Sequence, residues 1–127
     1  MRKNILIFAL LSALSFSCIN TPANLKNEEG QYVARNGKVI VHLDKQATDL
    51  FYPSLKYLAD DLGAQITYSS KTKLAMQGKL DKGYEVSIEL EQKLKSVCEV
   101  RVYSSRHKKP NDILSNQVIS ELLPLLQ

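Results

Sequence analysis

Few side chains in this chain of 127 residues are spaced for chemistry. Ser70-Lys71-Thr72-Lys73 has the S-x-x-K spacing of penicillin-recognising enzymes, where a lysine stands one helical turn from a nucleophilic serine. Those enzymes need that serine at a helix start and further motifs far downstream. Here the stretch lies between two strand patterns, and the match reads as chance. His42 and His107 are far apart, and neither has a Cys, Asp or Glu cluster with metal-ligand spacing. His42 shares the outward face of a short strand with Ile40 and reads as a solvated histidine. Asp60-Asp61 pairs two carboxylates at a helix C-terminus, where their charge opposes the dipole, and reads as solvation. A glycine-rich phosphate loop is absent from the sequence. The residues therefore predict no enzyme, no metal and no cofactor.

The two cysteines carry more. Arg2 and Lys3 precede an apolar run over residues 5–14, broken only by Ser12. A bilayer-spanning helix needs about 20 apolar residues, so this run has the length of a signal-peptide core instead. Leu14-Ser15-Phe16-Ser17-Cys18 follows, and a small residue directly before a cysteine at that place resembles the bacterial lipobox. Ser15 departs from the usual aliphatic residue three places before the cysteine, and Phe16 is larger than usual. The alternative is ordinary secretory cleavage near the same site. The expected organisation is a lipoprotein signal peptide over residues 1–17 and a lipidated N-terminus with a flexible tether over 18–37. A single domain then occupies 38–127. A thioether at Cys18 leaves Cys98 unpaired. Alternation puts Cys98 on one strand face with Val100 and Val102, the place of a small core residue rather than a nucleophile.

Such a chain is expected on the bacterial cell envelope, lipid-anchored, with its domain in the periplasm. Ile19, rather than Asp, after the cysteine favours the outer membrane. Arg2 and Lys3 account for two of the 17 basic residues, leaving 15 against 13 acidic ones. A mature charge near +2 argues against a nucleic-acid partner. The chain is expected as a monomer. Arg106-His107-Lys108-Lys109 crowds four basic or titratable side chains into the loop before the last helix. It reads first as a solvated loop, and in functional terms as a contact with lipid phosphates or anionic glycans.

The elements that must position these residues follow from periodicity. Residues 38–43 alternate as a strand with Val39, Val41 and Leu43 on one face. From Thr48 the period becomes helical through Leu50, Phe51, Leu55, Leu58 and Leu62, with Gly63 as C-terminal cap and Pro53 inside. Ile66 and Tyr68 share one face of a second strand, and Leu74, Met76, Gly78 and Leu80 one face of a third. Tyr84, Val86, Ile88 and Leu90 alternate with Glu85, Ser87, Glu89 and Glu91 in the clearest strand. Cys98, Val100 and Val102 alternate with Glu99 and Arg101 in the next. Asn111 or Asp112 caps a last helix whose apolar residues are Leu114, Val118, Ile119, Leu122 and Leu126, with Pro124 ending or bending it. The predicted fold is α+β, an antiparallel meander of about five strands with two helices packed on one face.

Cys18, the first strand and the run FYPSLKYLADDLGAQI over residues 51–66 resemble a family of small bacterial lipoproteins of unknown function. Francisella lipoproteins named as virulence determinants are among them. The resemblance continues through the Gly78 strand, the 84–90 strand and the closing helix. It implies a shortened helix-grip fold, related to the birch-pollen allergen and lipid-transfer superfamily, and no catalytic residues. Two functional readings follow. One is an apolar cavity between sheet and helices, lined by Leu55, Leu58, Met76, Gly78 and Tyr84, that takes a hydrophobic small molecule. The other is an envelope module whose outer sheet face or basic loop meets a protein partner. A strand bulge at Gly78 with ordinary packing is the alternative to the cavity.

Replacing Cys18 with Ala should leave an unprocessed precursor or a soluble protein, because acyl chains contribute about 0.8 kcal/mol per buried CH₂ to membrane attachment. Detergent-phase partitioning of the variant measures this, and partitioning equal to that of the parent would contradict lipidation.

Overall fold

The computed structural model describes residues 32–127. The expected signal segment, Cys18 and most of the tether lie outside the described residues. Within them the chain runs β1 (Lys38–Leu43), α1 (Ala47–Lys56), a π-helical turn (Tyr57–Asp61), β2 (Gln65–Ser70) and β3 (Ala75–Lys79). A 3₁₀ turn (Asp81–Gly83), β4 (Tyr84–Leu94), β5 (Val97–Arg106), β6 (Lys109–Pro110) and α2 (Asp112–Leu126) complete it. The fold is α+β. The sheet order is β1-β5-β4-β3-β2, every pairing is antiparallel, and the two-residue β6 joins β5 beyond the end of β1.

Strands β2 to β5 are a meander joined by tight turns, whereas β1 sits at the opposite edge from β2. The chain must therefore cross the whole inner face between them, and α1 makes that crossing. Its Leu50, Phe51 and Leu58 face Val86, Ile88, Leu90, Val100 and Val102, all buried, while Val118, Ile119 and Leu122 of α2 complete the layer. Each such aliphatic side chain contributes about 1.5–3 kcal/mol by leaving water.

Three local features depart from simple periodicity. The register between β2 and β3 shifts between Ile66 and Tyr68, so that Thr67 is an extra residue. Ile66 then lies inward opposite Gly78, but Tyr68 pairs with Gln77 on the outer face instead of sharing the face of Ile66. Second, α1 passes into a π-helical turn in which the Leu62 N–H donates to the Tyr57 carbonyl at 2.8 Å. Tyr57 and Leu58, which open this turn, continue the buried face of α1, and the Tyr57 hydroxyl donates to Glu121 of α2 at 2.7 Å. Burial, reinforced by that carboxylate, raises the Tyr57 pKa and keeps the phenol protonated. Leu55, expected on the core side, is half-buried and packs against the core from the flank of α1. Third, Leu74 stands at φ +53° in the turn before β3 rather than within the strand.

The helix starts are secured from different sources. Asn111 caps α2 by accepting from the Leu114 N–H at 2.9 Å. Gln46 gives α1 no side-chain cap, and the Ala47 N–H instead donates to Gln92 Oε1 of β4 at 2.7 Å. Pro124 lies in the last turn of α2, which continues to Leu126. A buried polar knot ties α2 to the sheet. Ser115 Oγ donates to the Gly37 carbonyl and lies 2.5 Å from Ser104 Oγ, which reaches the Asn111 carbonyl at 2.6 Å. Gly37 adopts φ +78°, and a Cβ there would meet the Ser104 carbonyl oxygen at 2.6 Å.

A Cβ on Gly78 would meet Ala64 Cβ at 2.8 Å and Leu58 Cγ at 3.4 Å. Gly78→Leu should accordingly overpack the layer and cost about 1–3 kcal/mol. A fall in the urea midpoint at unchanged m-value is expected, and a midpoint at or above the parent's would show that space exists there.

Candidate functional site

Among the described depressions none brings together the residues expected around an apolar cavity, since Gly78 lines one and Leu55 another. Leu58 and Met76 are fully buried, and the opening anticipated at Gly78 is occupied by Ala64 and Leu58. The bulge in β2 falls directly opposite, where Ile66 pairs with Gly78. Leu55 is half-buried at the edge of the core, where it lines a separate depression with Tyr52 and Ala59. Tyr84, at the start of β4, has the Arg106 guanidinium 4.9 Å from its ring centre. The gap inferred from a glycine among large residues is thus closed by the chain that leaves α1. Sequence alone could not locate that chain over β3.

The basic quartet is a hairpin rather than an open loop. Arg106 ends β5, His107 and Lys108 form a two-residue turn at φ +51° and +70°, and Lys109 pairs back to Arg106 in β6. Arg106 lies over Tyr84, Lys108 Nζ is 3.5 Å from Glu85 Oε2, and the His107 ring fills the space a Cβ on Gly83 would need. Arg106, His107 and Lys108 meet different neighbours. Ser70 ends β2, where its Oγ accepts from the Lys73 N–H at 3.1 Å as a turn cap, far from any helix start. Cys98 is a buried free thiol whose pKa is raised by burial. Asp60 and Asp61 end the π-helical turn. Among the described residues no group of three or more His, Cys, Asp or Glu is arranged to hold a metal ion. No described helix is long and apolar enough to cross a membrane.

The outer face of the sheet brings functional groups together instead. Strand alternation projects Gln77 and Lys79 from β3, Glu85, Ser87, Glu89 and Glu91 from β4, and Glu99, Arg101, Tyr103 and Ser105 from β5. The β2 bulge adds Thr67 and Tyr68. Two adjoining depressions of about 280 and 300 Å³ share Gln77 and Ser87 as floor. Thr67, Lys79, Glu85, Tyr103 and Lys108 rim the first, and Tyr68, Lys73, Glu89 and Arg101 the second.

Next to this trough lies a carboxylate that is 1% exposed, Glu99. His42 Nε2 of β1 stands 3.0 Å from Glu99 Oε1, and Arg101 Nη1 stands 2.5 Å from Oε2. Arg101 also contacts Glu91 at 2.7 Å and Glu89 at 3.2 Å, while Lys93 lies 3.3 Å from Glu91. His42 is therefore a hydrogen-bond partner of a buried carboxylate and not the solvated histidine that strand position implied. Burial alone would raise the Glu99 pKa, but hydrogen bonds from His42 and Arg101, with Lys93 nearby, hold it below the usual carboxylate range. The Arg101 hydrogen bond lowers Glu91 likewise. Burial works against the charge of Arg101, and its three carboxylates outweigh that and raise its pKa. Sequence shows Glu99 and Arg101 on one strand face. Their joining with His42 requires the β1–β5 register, a contact across roughly sixty residues.

No protein-family model and no curated protein matches the chain. The site is therefore interpreted from its own chemistry. It offers hydroxyls, amides, ammonium and guanidinium groups and carboxylates over a shallow floor, with two tyrosines at its sides. That is an inventory for recognising a polar surface.

Arg101→Met should destabilise the domain by about 3 kcal/mol, because a buried carboxylate loses its guanidinium partner and keeps only His42 and the more distant Lys93. The parent should lose stability as pH falls below the ordinary carboxylate value near 4.5, since the unfolded chain then binds protons that Glu99 and Glu91 still refuse. Above that pH their contribution is complete. Urea midpoints at pH 7 and pH 3 test both statements. Equal midpoints for Arg101→Met and parent at pH 7 would contradict the first, and a pH-independent parent the second.

Proposed function

We propose that this chain is a non-enzymatic envelope lipoprotein, anchored through Cys18, whose domain recognises a polar partner through the outer face of its sheet. The observation that carries the recognition reading is the division of labour between the two faces. The inner face is filled, Gly78 included, whereas the outer face holds a polar trough beside an ordered ionic network. The resemblance to small envelope lipoproteins, a virulence-associated group among them, supports the anchor and the periplasmic setting, with the outer membrane as the membrane of attachment. A mature charge near +2 supports a protein or glycan partner over nucleic acid. Cavity binding of an apolar molecule is the weaker reading, since the space expected at Gly78 is occupied by Ala64 and Leu58.

A photoreactive side chain at Gln77, in cells expressing the full chain, should give one discrete adduct. Filling the trough with Ser87→Arg should abolish that adduct, and a probe at the remote, exposed Ile113 should give none. No adduct at Gln77, or one untouched by Ser87→Arg, would overturn recognition through this face. A stoichiometric lipid co-purifying with the parent and lost from Gly78→Leu would restore the cavity.

A further inference from the structure

The two edges of the sheet differ. β1, at one edge, has further interactions at Lys38 and Ile40. β2, at the other, pairs with β3 alone among the described strands, so one row of its N–H and C=O groups faces outward. Sheet edges are ordinarily blunted by lysine, proline or inward charge. β2 reads Gln-Ile-Thr-Tyr-Ser-Ser, with no charge and no proline, and Tyr68 is 41% exposed. Only the Thr67 bulge interrupts it, leaving residues 68–70 as a regular stretch beyond.

An apolar strip accompanies this edge. Tyr52, Leu55 and Ala59 fall at i, i+3 and i+7 on the flank of α1 opposite the Tyr57 side that meets α2, and Tyr52 is 58% exposed. Both ends of the strip are fastened to β2. The Lys71 ammonium, in the turn after β2, lies 5.1 Å from the Tyr52 ring centre, and the Ala64 N–H, just before β2, donates to the Leu58 carbonyl at 3.0 Å. Strand edge and helix flank therefore run side by side as one surface. Charge is distributed unevenly along it. Lys71 and Lys73 mark the turn end, Asp60 and Asp61 the end where the chain leaves α1, and Lys56 lies between. Lys79, near the acidic end, pairs across the sheet with Glu85.

We propose that a second copy of this chain occupies the β2 edge, by antiparallel β2-to-β2 pairing about a twofold axis. That operation sets the lysine end of each copy against the aspartate end of the other, twice over. Parallel pairing would set like against like. It makes one continuous sheet, places the two α1 flanks together so that Tyr52 and Leu55 leave water, and keeps both outer troughs on one side. The pair replaces the monomer expected from sequence and stands independently of the recognition reading.

The test is disulfide cross-linking in cells expressing the full chain, with a cysteine at Thr67 or Ser69 and the parent chain, whose Cys98 is buried, as background. A band at twice the chain mass is expected from at least one of these positions, and none from Ser87→Cys in the middle of the sheet. Lys71→Glu with Lys73→Glu should lower the yield at least tenfold. Adding Asp60→Lys and Asp61→Lys to that variant should restore it, which a folding defect would not do. No such band at either edge position, a band equally strong from Ser87→Cys, indifference to charge reversal, failure of the fourfold variant to restore the yield, or an adduct with a different protein would each overturn the pairing.

Discussion

Among the described strands β1 joins the sheet through β5, and that pairing has to accommodate a buried carboxylate. Glu99 lies opposite His42 in the register and accepts from Arg101 two residues along its own strand. A slip of one residue would turn Val39 and Val41 out of the core and leave Glu99 without His42. A buried charge deprived of partners costs several kcal/mol, so the ionic network selects the register more sharply than the apolar residues alone. Further along β5, Ser104 does the same for α2 through Ser115 and Gly37. The strand thus has a polar fastening toward each end, with Val100 and Val102 packed between them.

From this arrangement the two faces acquire different characters. Crossing the full width of the sheet, α1 brings Leu58 and Ala64 down onto Gly78 and closes the inner layer. Core packing leaves nothing there for a ligand to displace cheaply. The outer face carries an ionic network whose groups are already paired with one another, and a partner that meets this face needs to exchange water and surface ion pairs rather than disturb the core. Shallow polar faces of this kind favour specificity and reversible contact over high affinity.

Elements with one clear period were legible without coordinates. Glu85, Ser87, Glu89 and Glu91 against Val86, Ile88 and Leu90 placed β4 and both its faces, and the apolar spacing of α2 named its buried side. Thr67 was not legible, because an inserted residue leaves composition unchanged while reversing every side chain after it. Tyr57 lies seven residues after Leu50 on the buried helical face, and what lets a phenol sit there is Glu121 of α2, a hydroxyl partner 64 residues away that the local pattern does not show. Glu99 alternates as a solvent residue and is buried only because β1 brings His42 across from the other end of the domain. Gly78 was read as an opening onto a cavity or as a bulge in its own strand, whereas Ala64 and Leu58 occupy the space and the bulge lies opposite, in β2. Whether neighbours or a void took up that space depended on Ala64, whose place over β3 is set by the path of the chain out of α1. The candidate site shares that property, since all its side chains were visible and their assembly was not.

The separation of β1 from β5 in sequence also has a consequence in time. A chain is made from its N-terminus at about 5–20 residues per second. β1 emerges first, yet its partner residues in β5 follow roughly sixty positions later. For several seconds β1 is an orphan strand with Val39, Ile40 and Val41 exposed, while β2 to β4 can already form their hairpins from local contacts. The sheet is thus completed at the edge that was synthesised first, by a long-range closure of the kind that slows folding most. The same interval is when a chaperone or export factor would find this chain easiest to hold.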